Sequence, residues 1–243
     1  MQSPSFTPHP GLYGRRHLLA LLAATPALAL PAWAQSGSGD ISAAERALFM
    51  RPHLLNAQPG QALQYGFRHA GSLDAPFDDR VTISLGARPE GGCCSASGQF
   101  LTAERAVQLP ELPVATSNPV ILYFLERDVR EMQRLTKGQQ NHFRKRIRVA
   151  LAERAQIREV KLSWRGQPVE GSEISIAPYL DDPNRPRFER YAGKTYLFVL
   201  SEAVPGGVVA LRTTVPGAAG TAEPLIEDTL TLDGAEPPAR ARS

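Results

Sequence analysis

Apolar and polar positions alternate in the N-terminal half of the chain, which is the period of a β-strand with one buried face. The alternation is clearest at residues 63–67 and 81–85, and apolar stretches near 95–103 and 106–109 predict two more strands. A capping box at residues 42–45 precedes them and predicts a short helix. Turn-forming residues leave only short loops between the strands, so we expect antiparallel pairing.

In the middle of the chain the apolar spacing changes to three and four residues, the period of an amphipathic helix with one buried stripe. Residues 121–132 and 143–151 each show this spacing. On the exposed face of the first helix we expect Arg127 to pair with Glu131, four residues further on. Together the two stretches predict a helical hairpin of about 40 residues.

Strand-like alternation returns after the helical hairpin. Its apolar stretches lie at residues 160–164, 174–176, 196–200, 209–213 and 230–232. Loops rather than strand–helix crossovers connect them, which predicts an α+β fold: a mainly antiparallel β sheet with an inserted amphipathic helical hairpin. Both a single curved sheet and a sandwich satisfy this pattern. We expect one α+β domain over 41–233, or two halves that meet near 158, followed by a flexible tail over 234–243.

The first 34 residues have the features of a secretory signal peptide. Arg15 and Arg16 precede an apolar run over 18–30, and small residues offer a cleavage site after Ala34. The arginine pair resembles a twin-arginine signal, although a general secretory signal has the same outline. We therefore predict a periplasmic protein whose signal is cleaved near Ala34 and whose residues 35–40 are a linker.

Cleavage of this signal changes the charge balance. It removes two arginines and no acid, so the 27 Lys and Arg residues fall to 25 against 24 Asp and Glu. A net charge near zero argues against a nucleic-acid partner, because binding to the phosphate backbone requires a basic surface. No cofactor or metal is predicted, since two cysteines cannot form a four-cysteine zinc site. The oligomeric state stays open.

The second predicted helix is rich in basic residues. Arg144, Lys145 and Arg148 belong to a cluster that an anionic membrane surface or an acidic envelope protein would attract. Ion pairs with acidic residues of the first helix, such as Glu126, are the alternative explanation for these charges.

Aromatic residues of the hairpin and of the strand after it are candidates for a ligand cavity. Tyr123, Phe124, Phe143 and Trp164 could line a site for a lipid or another amphipathic ligand. They could equally be the core between helices and sheet, which is the usual place for large aromatic residues.

Cys93 and Cys94 are adjacent and have no other cysteine to pair with inside the chain. Three arrangements are open: a vicinal disulfide, a pair between chains, or two thiols of which one points into the core. Cα atoms that are neighbours across a trans peptide are about 3.8 Å apart, closer than ordinary disulfide geometry prefers. A vicinal disulfide would favour a redox role.

The histidines and the paired aspartates do not form a recognisable catalytic or metal-binding motif. His53, His69 and His142 lack zinc-binding spacing, and a zinc site with the cysteines would need His69 beside residues 93–94. We expect His142 to be a solvated surface group.

Two acidic pairs, Asp78-Asp79 and Asp181-Asp182, are expected in loops with turn and capping roles. A hydrolase using them would need one carboxylate from each pair to face the other across a cleft.

The function that best fits these features is a non-enzymatic protein of the cell envelope. It would bind an apolar or amphipathic ligand, or an envelope partner, between the sheet and the hairpin. Two alternatives are a redox-responsive accessory protein that uses Cys93 and Cys94, and an envelope hydrolase that uses Asp78, Asp79, Asp181 or His69.

Overall fold

The structure, a computed structural model, describes residues 41–108, 110–218 and 221–238. The predicted signal peptide and linker lie outside the described residues. In the described part the strands are β1 (Ala62–Ala70), β2 (Phe77–Ala87), β3 (Cys93–Phe100), β4 (Val107–Gln108), β5 (Gln156–Trp164), β6 (Gln167–Ile176), β7 (Thr195–Leu200), β8 (Val208–Val215) and β9 (Ile226–Leu232). The helices are α1 (Ala43–Glu45), which continues as a π-helical turn over Arg46–Met50, α2 (Val120–Thr136) and α3 (Gln140–Glu153).

The described strands form one antiparallel sheet, curved and unclosed, in the order β4-β3-β2-β1-β9-β8-β7-β6-β5. The chain starts at the centre with β1, meanders outwards to the short edge strand β4, and crosses to the other edge through α2 and α3. It then meanders back from β5 to β9, which pairs with β1. The predicted α+β class is confirmed. Of the two predicted arrangements, the single curved sheet is correct.

One face of the sheet, here called the inner face, packs against the helices and forms the hydrophobic core. Leu63, Tyr65 and Phe67 of β1 are buried, while the residues between them are exposed. The apolar stripes of α2 and α3 close this core, with Phe124 and Phe143 almost fully buried. Burial of each such side chain contributes about 1.5–3 kcal/mol.

A row of polar side chains crosses the inner face beneath α2. The strand registers place His69 of β1 opposite Asp228 of β9, Asp228 opposite Thr213 of β8, and Thr213 opposite Tyr196 of β7. All four residues are at least nine-tenths buried. The His69 Nδ1 atom lies 2.6 Å from the Asp228 Oδ1 atom. We call these four residues the polar row.

Consecutive residues of α2 bind this row with opposite charges. The Arg127 Nη1 donates to the Asp228 Oδ2 over 2.6 Å. Asp128 is buried, accepts a 2.6 Å hydrogen bond from the Tyr196 hydroxyl, and forms an ion pair with the buried Lys194. The predicted pair between Arg127 and Glu131 is therefore wrong, because Arg127 turns towards the sheet and Glu131 pairs with Arg134 instead.

Two boundaries differ from the prediction. β2 begins at Phe77, so Asp78 and Asp79 lie in a strand rather than in a loop, because the inward-facing Phe77 packs against the core and extends the strand. Residues 234–238 were expected to belong to the flexible tail. Instead, the Arg165 N–H of the β5–β6 turn donates to the Gly234 carbonyl over 2.6 Å, and Ala235 forms a β-bridge with Trp164.

Breaking the buried pair between Lys194 and Asp128 tests how much this pair contributes to the free energy of unfolding. Lys194→Met should lower the free energy of unfolding by about 3–5 kcal/mol, because it leaves the Asp128 carboxylate buried without a counter-charge. The double variant D128N/K194M should recover most of this loss, since it buries no uncompensated charge. Urea denaturation followed by circular dichroism measures the effect.

The control is the solvent-exposed pair of Arg185 and Glu189. Arg185→Met should leave the midpoint of the urea transition unchanged, because exposed ion pairs contribute little. Equal losses from K194M and R185M would contradict the assigned role of the buried pair.

Candidate functional site

A groove opens on the outer face of the sheet, away from the helices. It runs across β1, β2, β8 and β9 and has a volume of about 720 Å³. This size suits a small ligand. Its lining combines outward-facing residues of the strands, their chain neighbours Phe67 and Asp79, and a short stretch of the C-terminal segment: Gly66, Phe67, Arg68, Asp78, Asp79, Arg80, Arg212, Glu227, Thr229, Thr231, Asp233, Pro237 and Pro238.

Strand alternation puts these polar groups on one surface. Arg68 of β1 is directly opposite Asp78 of β2 and also opposite Thr229 of β9. Gly66 lies two residues before Arg68 on the same face, and a Cβ atom added there would meet no other atom within 4 Å. The absence of a side chain at Gly66 therefore keeps the centre of the groove open.

The C-terminal segment forms one wall of the groove. The Arg212 guanidinium of β8 donates a hydrogen bond to the Pro238 carbonyl, and the β5–β6 turn binds Gly234. Trp164 adds a hydrogen bond of 3.4 Å from its ring N–H to the Asp233 carbonyl. The packed segment explains why the groove has a defined edge.

Groups of both charges line the groove. Its guanidinium groups come from three strands, and its carboxylates come from β2, β9 and the residue after β9. The Arg68 and Asp78 side chains are 3.6 Å apart and largely exposed, so a ligand can displace their mutual contact at small cost. Guanidinium groups bind phosphate or carboxylate, and carboxylates accept hydrogen bonds from an ammonium group. The arrangement fits a ligand that carries both charges.

The predicted basic surface of α3 divides into paired and unpaired residues. Arg144 binds Glu126 of α2 through two hydrogen bonds of 2.7 and 3.0 Å. The hydrogen bond from Arg144 lowers the pKa of the Glu126 carboxyl. Lys145 and Arg148 are exposed, and their side chains form no hydrogen bond or ion pair with another described residue. The intramolecular explanation therefore holds for Arg144, while the surface role of Lys145 and Arg148 stays a prediction.

The aromatic candidates are not grouped around one opening. Tyr123, Phe124 and Phe143 are buried in the core between helices and sheet. Phe143 packs edge-on against Tyr179 at a ring separation of 5.7 Å. Trp164 lies at the β5–β6 turn with the Arg165 guanidinium over its ring. In the described part of the chain these rings fill space between elements, and their binding role stays a prediction.

The two cysteines form a vicinal disulfide at the start of β3. The peptide bond between them is cis, which brings their Cα atoms to 3.0 Å. Cys94 is fully buried and packs in the core, whereas Cys93 is half-buried. Of the three arrangements considered, the structure has the disulfide. Its redox role stays a prediction.

His69 does not approach the cysteines. His69 is opposite Phe77, and Cys93 is opposite Ala87, so about ten residue steps along β2, or about 33 Å, separate them. The zinc arrangement is therefore wrong. No cluster of three metal-ligating side chains occurs among residues 41–108, 110–218 and 221–238.

The other two histidines, like His69, have structural partners. His142 was predicted to be solvated, but its Nε2 lies 2.7 Å from the buried Asp182 carboxylate. His53 donates from Nε2 to the Ala47 carbonyl over 2.9 Å and accepts at Nδ1 from the Asn118 N–H over 3.2 Å. Burial lowers the pKa of His53, which favours this neutral form.

The acidic pairs belong to separate clusters. Asp79 accepts a 2.7 Å hydrogen bond from the Thr102 hydroxyl at one side of the sheet. Asp181 lies in the loop between β6 and β7 and binds Arg146 of α3 and Arg154 at the end of that helix. Strands β1, β9 and β8 lie between the strands that carry the two clusters. The carboxylates therefore do not face each other as a glycoside hydrolase would require.

The groove residues were missed by sequence reasoning. Each of Arg68, Arg80 and Thr229 occupies an ordinary polar position of an alternating strand, which by itself indicates only solvent exposure. Their proximity follows from the pairing of β1 with both β2 and β9. The one sequence signal for this surface is the row of alternate polar residues in β9, Glu227, Thr229 and Thr231.

No family model and no curated protein matches the sequence. Among solved structures, lipoprotein LppX of Mycobacterium tuberculosis is similar at 10% identity, with a TM-score of 0.31 over 82% of this chain and 96% of that one. This likeness is too low to bear on function. None of the helices in the described ranges is both long and apolar enough to cross a membrane.

The pKa of Asp228 makes the stability of the protein depend on pH. Burial by itself would raise this pKa, but the Arg127 charge and the His69 hydrogen bond lower it to about 2. An unfolded aspartate titrates near 3.9. The stabilisation is therefore complete above about pH 4 and is lost as the pH falls through about 2.

We expect the wild type to lose about 2 kcal/mol more unfolding free energy between pH 6 and pH 2 than Asp228→Asn does. Urea denaturation at each pH measures this difference. The control is Asp78→Asn on the exposed outer face, which should follow the wild-type pH curve. Parallel curves for wild type and D228N would contradict the assigned pKa.

Proposed function

We propose that the protein is an exported, non-enzymatic binding protein of the bacterial cell envelope. It works in the periplasm after cleavage of a twin-arginine signal near Ala34. Its ligand is an amphipathic molecule with a zwitterionic head, which occupies the outer groove. The observation that carries this proposal is the groove itself, with guanidinium and carboxylate groups around an open floor at Gly66.

The packing of the inner face supports a site on the outer face. Buried aromatic rings and the Lys194–Asp128 pair occupy the space between the sheet and the hairpin in the described part of the chain. A ligand there would have to displace core side chains, and each displaced large side chain costs several kcal/mol. The outer groove requires no such displacement.

The charge pattern supports a zwitterionic head. Arg68 and Arg80 can bind a phosphate, while the carboxylates of Asp78 and Asp233 can bind an ammonium group. Pro237 and Pro238 of the C-terminal segment offer apolar contact for the adjoining part of an amphipathic ligand. An anionic ligand without the ammonium group would leave the carboxylates uncompensated.

Filling the groove should abolish binding. Gly66→Trp places an indole in the open space above β1 without a clash at Cβ. We expect lysophosphatidylethanolamine to bind the wild type and to bind G66W at least about tenfold more weakly. Isothermal titration below the critical micelle concentration measures both, with lysophosphatidylglycerol as the anionic comparison.

The matched control is Gln64→Trp, on the same strand and the same face but outside the groove lining. Q64W should bind as the wild type does. Equal binding by wild type, G66W and Q64W would contradict the groove as the site. Native mass spectrometry of protein purified from the periplasm also reports the cleavage position and shows whether a protein partner, rather than a lipid, is retained.

A second candidate function rests on the vicinal disulfide of Cys93 and Cys94. A dithiol reductant would attack one sulfur and leave two thiols here and a disulfide on the reductant. If the protein is redox-responsive, reduction followed by alkylation should change ligand or partner binding. The double variant C93S/C94S should bind identically under oxidising and reducing conditions. Unchanged binding by the reduced wild type would exclude this role.

A further inference from the structure

The edge strand β5 differs from the opposite edge of the sheet. β4 has two residues, whereas β5 has nine and pairs on one side only, with β6. Along β5, Glu159 and Lys161 are exposed, and Val160 between them is half-buried. A long exposed edge offers unpaired N–H and C=O groups to another strand.

The β5–β6 turn decides which backbone groups face outwards. Arg165 and Gly166 both have positive φ, 50° and 73°, as the two-residue turn of a tight hairpin requires. Trp164 and Gln167 flank the turn as a directly paired couple. Even-numbered residues of β5 therefore direct their N–H and C=O groups to β6, and odd-numbered residues direct theirs to the free edge.

Among the described residues, the C-terminal segment covers only the end of this edge. The Arg165 N–H donates to the Gly234 carbonyl, and the Glu236 N–H donates to the Ser163 carbonyl over 3.5 Å. The outward groups of Ile157, Glu159 and Lys161 form no backbone hydrogen bond with another described residue. The free edge therefore extends over residues 157–161.

The charges on this edge favour one occupant, a second copy of the same strand. An antiparallel pair of identical strands has a two-fold axis that passes between two equivalent residues. An axis at Arg158, Glu159 or Lys161 would place that charge opposite itself, which is unfavourable. An axis at Val160 places Glu159 opposite the partner's Lys161. By symmetry it also places Lys161 opposite the partner's Glu159, so two opposite-charge pairs form.

We propose that the protein forms a symmetric dimer in which β5 pairs with β5 of a second copy about Val160. The two sheets then continue into each other, and four hydrogen bonds come from Glu159 and Lys161 of the two strands. The strand surface alone is smaller than a stable interface buries, so the dimer dissociates on dilution. This inference is independent of the groove.

Charge exchange tests the register. Sedimentation velocity over about 10–500 µM should show the wild type shifting from monomer to dimer with concentration. Glu159→Lys and Lys161→Glu each place two like charges opposite each other and should weaken association at least about tenfold. The double variant E159K/K161E restores opposite charges and should dimerise like the wild type.

A mixture of the two single variants provides the most specific test of the register. E159K and K161E are complementary to each other, so an equimolar mixture should form heterodimers where each variant alone stays monomeric. The control is Glu104→Lys, the same charge change at an exposed residue between β3 and β4, at the opposite edge of the sheet. This variant should dimerise like the wild type, and circular dichroism verifies that every variant is folded.

Several outcomes would overturn the proposal. A wild type that stays monomeric at the highest concentration contradicts the dimer. A dimer that E159K and K161E leave unchanged contradicts the register, as would a double variant that fails to recover while folded. Concentration-dependent protection of the Glu159 and Lys161 amides from hydrogen exchange should accompany dimerisation, because these N–H groups become paired.

Discussion

The attachment of α2 to the sheet depends on opposite charges at consecutive residues. Arg127 and Asp128 both point to the inner face, where Asp228 binds the first and Lys194 with Tyr196 binds the second. A buried charge is tolerated only when it is paired and hydrogen-bonded. The helix can therefore neither rotate nor slide along the sheet without leaving charges uncompensated. The polar row specifies the position of α2, while the surrounding aromatic core supplies most of the stabilisation.

This attachment gives the two faces of the sheet different roles. The inner face is closed by helices and buried pairs, among them the pair of His69 and Asp228. The outer face keeps its polar residues and opens into a groove whose wall is the C-terminal segment. The β5–β6 turn binds the same segment at Gly234. The C-terminal segment therefore contacts both the edge strand β5 and the groove.

The predictable part of the structure is the part with local causes. Alternation predicted the strands and the α+β class, and the capping box of Ser42 and Glu45 is present as expected. The errors have non-local causes. Arg127 binds Asp228, which is 101 residues away, and His142 binds Asp182, which is 40 residues away. Sequence spacing favours a partner four residues further along the same helix. Burial instead favours the partner that also compensates a charge in the core.

Local residue patterns suffice to predict the periodicity of the elements, the antiparallel character of the sheet, and the amphipathic faces of the two long helices, because each follows from residues close together in the chain. Long-range strand pairing, in contrast, joins the two meanders through β1 and β9 and brings Arg68, Arg212 and Asp78 to one groove. Local patterns cannot predict this convergence, because strand pairing between distant segments sets which polar residues become neighbours. A polar position on an alternating strand indicates only that it faces away from the core.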